Sequence, residues 1–390
     1  MNPFINLGVA LIVGVVCGKI MNKFKVPAVA GYIIGGLLLG TSGLKILNGD
    51  TINQMSFLSD FALCIIAFNI GSELEVSVIK QLGKSIFIIA FFEAFGAFLL
   101  VTGVSFALTK DLAISLILGS VSAATAPAAT VMVLRELNSK GPLTSTLLGV
   151  VAVDDAICLV IYAMAASVAK VFVSHENITV QKVLILPIQE ILFSILAGAA
   201  LGLLMTILIK YSKRDSELLP FVIGTLLLLD GLATLLGLSP LLTAMSMGII
   251  VANISPQKIK AFTILENFSP PIVSAFFILA GARLNFAYIP QIGLLGVAYL
   301  LFRILGKILG ASLGATISKA PANVKKFIGF GLLSQVGVAV GLAITVNREF
   351  PNTDIGSIVV TILLATTIIT EIVGPIATKH AVTKAGEARV

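Results

Sequence analysis

Apolar runs of membrane-spanning length follow one another along almost the whole chain, separated by short loops. A helix that crosses the hydrocarbon core of a bilayer needs about 20 predominantly apolar residues. Only 12% of the residues are charged and 57% are hydrophobic, whereas roughly a quarter of the residues of a soluble domain are charged. The chain is therefore predicted to lie in a lipid bilayer. This composition excludes a water-soluble enzyme, and we expect no organic cofactor.

The basic residues indicate the topology. The net charge is +7, but lysines and arginines stand singly or in twos and threes between apolar runs, which argues against a nucleic-acid partner. With the N-terminus outside, eighteen of them fall on the cytoplasmic side, six on the opposite side and two inside a helix. This bias obeys the positive-inside rule and predicts a cytoplasmic C-terminus in the cell's inner or plasma membrane. The predicted fold is an all-α polytopic membrane protein with about thirteen transmembrane helices, near residues 3–21, 26–41, 54–71, 85–108, 112–134, 143–169, 185–209, 218–236, 239–253, 262–282, 290–318, 328–346 and 356–378.

Two adjacent aspartates, Asp154 and Asp155, lie about halfway along the sixth predicted span. An ionisable side chain at the centre of a bilayer costs on the order of 2.5–3.5 kcal/mol, so each needs a partner, a wet cavity or a function. Neighbouring helical positions point about 100° apart, so one carboxylate can face a cavity while the other turns towards a neighbouring helix. Neutralisation of both acids by structural partners is the alternative. The pair predicts an ion or proton site.

Two basic residues, Arg303 and Lys307, stand one helical turn apart in the eleventh predicted span and so share a face. Lys307 lies beyond snorkelling reach of either surface, and a buried ammonium requires an anion. The expected partner is one of the two aspartates. Because a desolvated lysine gives up its proton readily, we predict a coupling ion pair. A purely structural ion pair is the alternative for both residues.

Two predicted spans carry signs of an interruption. In the fifth, SVSAATAPAATVM, Pro127 removes a helical hydrogen bond, and the freed carbonyls must be met by neighbours, water or an ion. Thr125 supplies a hydroxyl oxygen beside it, a donor type that suits alkali cations. In the twelfth, GFGLLSQVGVAVGLA, Gln335 and Gly337 mark the matching place. Broken helices at corresponding places predict a transporter with inverted repeats.

Five further acids within the predicted spans have no assigned role. Each could be a neighbour of the site, a helix-end residue or part of a dimer surface, and we expect most of them to be structural. They are Asp60, Glu93, Asp230, Glu266 and Glu371.

The motifs, in their order along the chain, resemble those of the bacterial monovalent cation:proton antiporters of the sodium/proton exchanger superfamily. The resemblance is specifically to the electrogenic-type branch, which has an Asp-Asp pair. The glycine patterns alone are unspecific, whereas the combination of a broken fifth helix, the Asp-Asp pair and the GK-x-x-G helix is specific. The matching elements are KVPAVAGYIIGGLLLG in the second span, FNIGSE at the end of the third, TAPA in the fifth, VDDA in the sixth, LSPLLTAMSMGIIVAN in the ninth, FFILAGARL in the tenth and GKILGA in the eleventh.

The resemblance implies a single membrane domain, residues 1–390, built from two parts. A core of about 85–169 and 290–378 would move against a dimerisation or scaffold part of about 3–71 and 218–282. A linker helix at about 185–209 would join the halves, and the protein would form a homodimer.

The resemblance also implies roles for site residues. Asp155 would bind the cation and the proton, Asp154 would assist, Thr125 would lie near the ion and Lys307 would pair with an aspartate. Competition of cation and proton for one carboxylate would couple their transport by alternating access. If Lys307 also lost its proton when the ion binds, more charge would move as protons than as cation.

The implied activity is exchange of Na⁺ for protons, with Li⁺ or K⁺ as other possible ions. Ala126 stands where some relatives carry an acid after the threonine, and Val338 where some carry a glutamate, so ion choice and proton stoichiometry stay open. One alternative is a sodium-coupled organic-anion symporter on a related fold, with Arg303 and Lys307 serving a carboxylate. Another is the membrane subunit of a potassium efflux system.

Overall fold

A computed structural model describes residues 3–24, 26–174, 181, 185–212, 215–284, 289–351 and 353–389. These residues are almost entirely helical, which confirms the predicted all-α class. One 3-10 helix spans Ile328–Leu332. In chain order the helices are α1 (Pro3–Lys23), α2 (Ala28–Leu39), α3 (Gly49–Gln54), α4 (Ser56–Glu73), α5 (Val76–Thr109), α6 (Leu112–Ser122), α7 (Pro127–Glu136), α8 (Pro142–Val173), α9 (Leu186–Tyr211), α10 (Asp215–Leu235), α11 (Pro240–Ile254), α12 (Lys258–Phe268), α13 (Pro270–Ala282), α14 (Ile289–Ile317), α15 (Ala322–Phe327), α16 (Gly337–Glu349) and α17 (Ile355–Lys384).

Within the described residues, nine segments are long and apolar enough to cross a bilayer, one of them made of α6 and α7 together. Two bent pairs, α12 with α13 at 51° and α15 plus the 3-10 helix with α16 at 47°, raise this number to eleven. The other two predicted spans correspond to α2 and α11, which have only 12 and 15 residues. The predicted total of thirteen is therefore not confirmed, because these two apolar helices are shorter than a straight span requires.

The helices pack in two groups. In one, α5 packs along α14 and against α6, which in turn packs on α8. In the other, α2 packs against α1 and α13, and α11 packs against α4 and α9. The first group includes α6, the first half of one interrupted span, and it carries the buried residues Glu93, Asp154, Asp155, Arg303 and Lys307.

Glycines bring α5 and α14 into close contact. A Cβ atom built at Gly306 would lie 2.6 Å from the Cα of Ala97, and one built at Gly96 would lie 2.8 Å from the carbonyl oxygen of Gly306. A Cβ built at Gly310 would collide with the carbonyl oxygen of Phe92 and reach 3.0 Å from the Cα of Glu93. The backbones can approach this closely only because these positions lack side chains, and the contact sets Glu93 beside the helical turn that carries Lys307.

The two interrupted spans cross at their breaks. One break separates the end of α6 from Pro127, the first residue of α7, and the other separates the 3-10 helix from Gly337, the first residue of α16. The backbone N–H of Ala126 donates to the carbonyl of Ser334 at 2.9 Å. The chain thus carries the crossed, broken helices that the sequence predicts, and backbone groups of one break meet those of the other, as lipid requires.

Candidate cation and proton site

A buried lysine lies beside the crossing. The side chain of Lys307, on α14, has no exposed surface. Its ammonium donates to a carboxylate oxygen of Glu93 and to the carbonyl oxygen of Ala123, both at very short range, and to the hydroxyl of Thr125 at 2.7 Å. An oxygen of Asp154 lies farther away, at 3.4 Å. Because an ammonium has three N–H donors, the first three acceptors are sufficient to satisfy it.

Glu93, on α5, is the residue of this cluster that the sequence did not single out. It is fully buried, and one of its oxygens accepts from Lys307 and, at 3.3 Å, from the hydroxyl of Thr125. From the sequence, only the two aspartates were expected as partners for Lys307. Asp154 does lie within reach, but Glu93 is closer, because the glycine contact between α5 and α14 places it there.

The two aspartates of α8 have different surroundings. Asp154 is fully buried, and its Oδ2 faces Lys307. Asp155 is 6% exposed, and its Oδ1 has no hydrogen-bond partner among the described residues. Glu73, the last residue of α4, is close enough for its charge to act on Asp155. Adjacent positions on α8 thus give the two carboxylates different surroundings, and Asp154 is the one that faces the lysine.

The guanidinium of Arg303, on α14, reaches into the two breaks, and it forms no ion pair with the residues that the structure describes. It is fully buried, and its guanidinium donates to the carbonyl oxygens of Ser122 at 3.1 Å, Leu333 at 2.7 Å and Ala124 at 2.8 Å. A longer contact of 3.5 Å reaches the carbonyl of Ser334. Among the described residues, Arg303 therefore bonds to backbone carbonyls in place of the expected ion pair. The five N–H groups of a guanidinium suit several acceptors, and the interrupted helices leave carbonyls that need donors.

Gln335 joins both breaks to α14. Its side-chain amide donates to the carbonyl of Val121 at 2.9 Å, and it exchanges hydrogen bonds of 2.9 and 3.2 Å with the hydroxyl of Tyr299. Pro127 and Gly337 begin the second halves of the two broken spans. These residues hold the shape of the crossing, whereas the carboxylates of Asp154 and Asp155 lie on the helix beside it.

The remaining acids with open roles are dispersed. Asp60 pairs with Arg348 at 2.8 Å, and Asp230 accepts a contact from the Cys64 sulfur at 3.5 Å. Glu266 is exposed on α12. Glu371 is buried on α17, and its Oε1 has no partner among the described residues.

Crossed, interrupted helices with a lysine and carboxylates buried at the crossing define a secondary transporter. The chain matches the family model "Sodium/hydrogen exchanger, transmembrane" over residues 7–380, and it belongs to that family of transporters. The family resemblance found in the sequence is thereby confirmed, although its Asp-Asp branch is not.

Individual proteins are similar over most of their length. The Na(+)/H(+) antiporter of Enterococcus hirae is 26% identical over 342 residues, which cover 85% of this chain and 86% of that protein. The ammonium/H(+) antiporter subunit AmhT of Alkalihalophilus pseudofirmus is 23% identical over 348 residues, which cover 88% of this chain and 83% of that protein. The structure of the sodium proton antiporter MjNhaP1 from Methanocaldococcus jannaschii at pH 8 matches with a TM-score of 0.80 and 20% identity over 98% of both chains. This likeness establishes the fold.

Proposed function

We propose that the chain is a secondary antiporter that exchanges a monovalent cation, Na⁺ in the first place, for protons by alternating access. The observation that carries this proposal is the state of Asp155, a nearly buried carboxylate within a span, with one oxygen lacking a partner among the described residues. A desolvated carboxylate requires neutralisation by either a proton or a cation. Competition between the two for Asp155 is the coupling step, and the Na(+)/H(+) antiporters among the relatives support this substrate pair.

Asp154 extends the site. It lies next to Asp155 on α8 and within 3.4 Å of Lys307. Two adjacent buried carboxylates repel each other when both are charged, so the pair needs a cation or protons to neutralise it. Release of more than one proton for each cation makes the exchange electrogenic, as in the Asp-Asp branch, and each net charge draws about 2.3 kcal/mol per 100 mV from the membrane potential.

Alternating access is proposed to arise from motion of the core, 85–169 and 290–378, against the scaffold, 3–71 and 218–282, with the linker at 185–209. The pair of Asp60 on α4 and Arg348 at the end of α16 joins these two parts on the side that the basic residues predict to be outside. Glu73 lies at the opposite end of α4. In this conformation the two parts are bridged at their outer end.

The orientation, with the N-terminus outside and the C-terminus cytoplasmic, is part of the proposal, as is a homodimer formed through the scaffold. Apolar side chains on α1, among them Phe4, Ile12 and Val16, are exposed, and such a face fits lipid or a second copy. Cysteine cross-linking at the position of Ile12 in membranes distinguishes contact with lipid from contact with a second copy.

The organic-anion symporter loses support from the geometry. It would need basic groups that are available to a substrate carboxylate, but Arg303 donates to backbone carbonyls and Lys307 already contacts two carboxylates. A potassium efflux subunit stays a possible role of the same site, because alkali-ion choice depends on cavity size and oxygen number.

Reconstitution tests the function directly. Purified protein in proteoliposomes with an internal acid pH and a trapped pH dye should show proton efflux when NaCl is added, and parallel additions of LiCl, KCl and NH₄Cl rank the ions. Empty liposomes and choline chloride provide the background. A response to none of these salts above that background would refute the proposal.

A further inference from the structure

We propose that Arg283, at the end of α13, and the polar pocket in front of it bind a small inorganic anion of the chloride type. None of the residues Asp154, Asp155 and Thr125 of the proposed cation site lines this pocket. Binding of the anion does not depend on the antiport activity. The place of the pocket on the outer side of the membrane follows from the proposed orientation.

The pocket lies where the proposed scaffold meets the proposed core. Its volume is about 270 Å³, and a water molecule takes about 30 Å³ of the liquid, so an ion with several waters fits. Among the described residues that line it, none is an acid. The hydroxyls, amides and guanidinium that line it can all donate hydrogen bonds, which an anion accepts. These polar lining residues are Thr41, Asn53, Arg283, Asn347, Ser357 and Thr361.

The guanidinium of Arg283 lacks a full set of acceptors. Its Nε is buried and has no hydrogen-bond partner among the described residues. A buried donor without an acceptor is costly, and more so when the donor is charged. An anion in the pocket would supply the missing acceptor.

The charges near Arg283 leave a positive excess. Among the described residues, Asp60 is the charged group that acts on Arg283. Asp60 already pairs with Arg348 at 2.8 Å. Asp230 acts on Asp60 but is not among the groups that act on Arg283. Two arginines thus share one carboxylate, and a single monovalent anion would balance the remaining charge.

Hydrogen bonds fix the backbone on both sides of Arg283. The carbonyl of Ala282 accepts from the backbone N–H of Thr41 at 3.2 Å and from its hydroxyl at 3.3 Å. The carbonyl of Leu284 accepts from the hydroxyl of Ser42 at 2.9 Å. The end of α2 therefore holds Arg283 in place at the pocket, which makes the guanidinium a fixed part of a binding site.

The core supplies the opposite wall. A Cβ atom built at Gly356 would lie 2.5 Å from the Cα of Asn347, so the start of α17 packs tightly against the end of α16. Asn347 and Ser357 face the pocket from these two helices. An anion held by Arg283 and these donors would link scaffold to core and favour their present arrangement. This consequence for transport rests on the proposed alternating access.

Anion binding is measured on purified full-length protein as a shift of the thermal midpoint. Na⁺ is held constant while gluconate is replaced stepwise by chloride. We expect the wild-type midpoint to rise saturably by about 2 °C or more, and Arg283→Gln to lose this rise. Lys110→Gln, which removes an exposed charge outside the pocket, should respond as wild type does. A wild type without a saturable rise, or an equal rise in Arg283→Gln, would overturn the anion site.

Asn347→Asp keeps the site testable if Arg283→Gln does not fold. It places a carboxylate in the pocket with little change of size. The carboxylate should take the place of the anion, so the midpoint in gluconate should rise and the response to chloride should shrink. A chloride response of wild-type size in folded Asn347→Asp would contradict the proposal.

Transport measurements separate the anion site from the proposed antiport. In proteoliposomes with clamped potential and fixed Na⁺, replacement of external chloride by gluconate should change the wild-type exchange rate at least about twofold and leave Arg283→Gln unchanged. Wild-type exchange that ignores the external anion would refute the link between the site and the movement of the core. Absence of cation-driven proton movement in wild type would refute the antiport function, whereas the midpoint shift decides on the anion site whatever the transport result.

Discussion

The ammonium of Lys307 lies closer to the carboxylate of Glu93 than to that of Asp154, which is 3.4 Å away. The sequence suggested an aspartate as the counter-ion, so that cation binding would release the lysine to lose its proton. With Glu93 as a second partner, Lys307 keeps a carboxylate acceptor when Asp154 is engaged elsewhere.

Asp154 is predicted to take part in coupling beside Asp155. Asp154→Asn keeps the size of the side chain and removes its charge. We expect the variant to exchange with one proton fewer per cation and with a weaker response to a clamped membrane potential. The measurement is dye dequenching in proteoliposomes with and without a potassium–valinomycin clamp, and an Asp154→Asn protein that responds to the potential as wild type does would contradict the assignment.

Thr125 is predicted to lie near the cation, and it also contacts both members of the Glu93–Lys307 pair. Thr125→Val keeps the shape of the side chain but removes its oxygen. The half-saturating cation concentration should therefore rise more than the maximal rate falls. Thr125→Ser, which retains the hydroxyl, is the matched control and should stay near wild type. Identical saturation curves for Thr125→Val and wild type would place this hydroxyl outside the cation site.

Arg303 is predicted to hold the two breaks together. Arg303→Lys keeps the charge but cannot reproduce the planar fork that reaches several carbonyls. Each lost hydrogen bond to a charged group costs about 1.5–3 kcal/mol of stability, so the thermal midpoint in detergent should fall by several degrees. Arg135→Lys, at an exposed position of α7, is the control. Equal midpoints for Arg303→Lys and wild type would show that the carbonyl contacts are not needed for stability.

The Asp60–Arg348 pair is predicted to bias the core towards its present position. Their side chains are 21% and 42% exposed, and ion pairs of this kind contribute about 0.2–1 kcal/mol. Asp60→Asn should therefore shift the equilibrium between inward- and outward-facing forms by at most about fivefold, which at 1.4 kcal/mol per tenfold corresponds to 1 kcal/mol. Apparent cation affinities measured from the two sides report the shift. Complete loss of transport in Asp60→Asn would indicate a different role for Asp60.

The sequence predicted much of the fold, because apolar run length and proline or glycine interruptions act locally. Pro127 and Gly337 stand at the starts of α7 and α16, where the breaks were expected. The number of membrane spans was harder to predict from the sequence. Helices α2 and α11 are apolar but have only 12 and 15 residues, fewer than a straight span requires.

The partners of the buried charges could be predicted only in part. The depth of Asp154, Asp155 and Lys307 follows from their positions along apolar runs. Glu93 was among the acids left open, because its contact with Lys307 depends on the meeting of α5 and α14 across more than 200 residues of chain. The one available signal was the set of small residues, Gly96, Gly306 and Gly310, which permits the two backbones to approach.

Substitution of Asp155 tests the central claim most directly. Wild type, Asp155→Asn and the control Asp50→Asn, an exposed position of α3, are purified, shown to have similar thermal midpoints and reconstituted at equal density. Addition of NaCl should drive proton efflux in wild type and in Asp50→Asn, and no efflux above empty liposomes in Asp155→Asn, because the amide can neither release a proton nor neutralise a cation. Cation-driven proton efflux retained by folded Asp155→Asn would contradict the account.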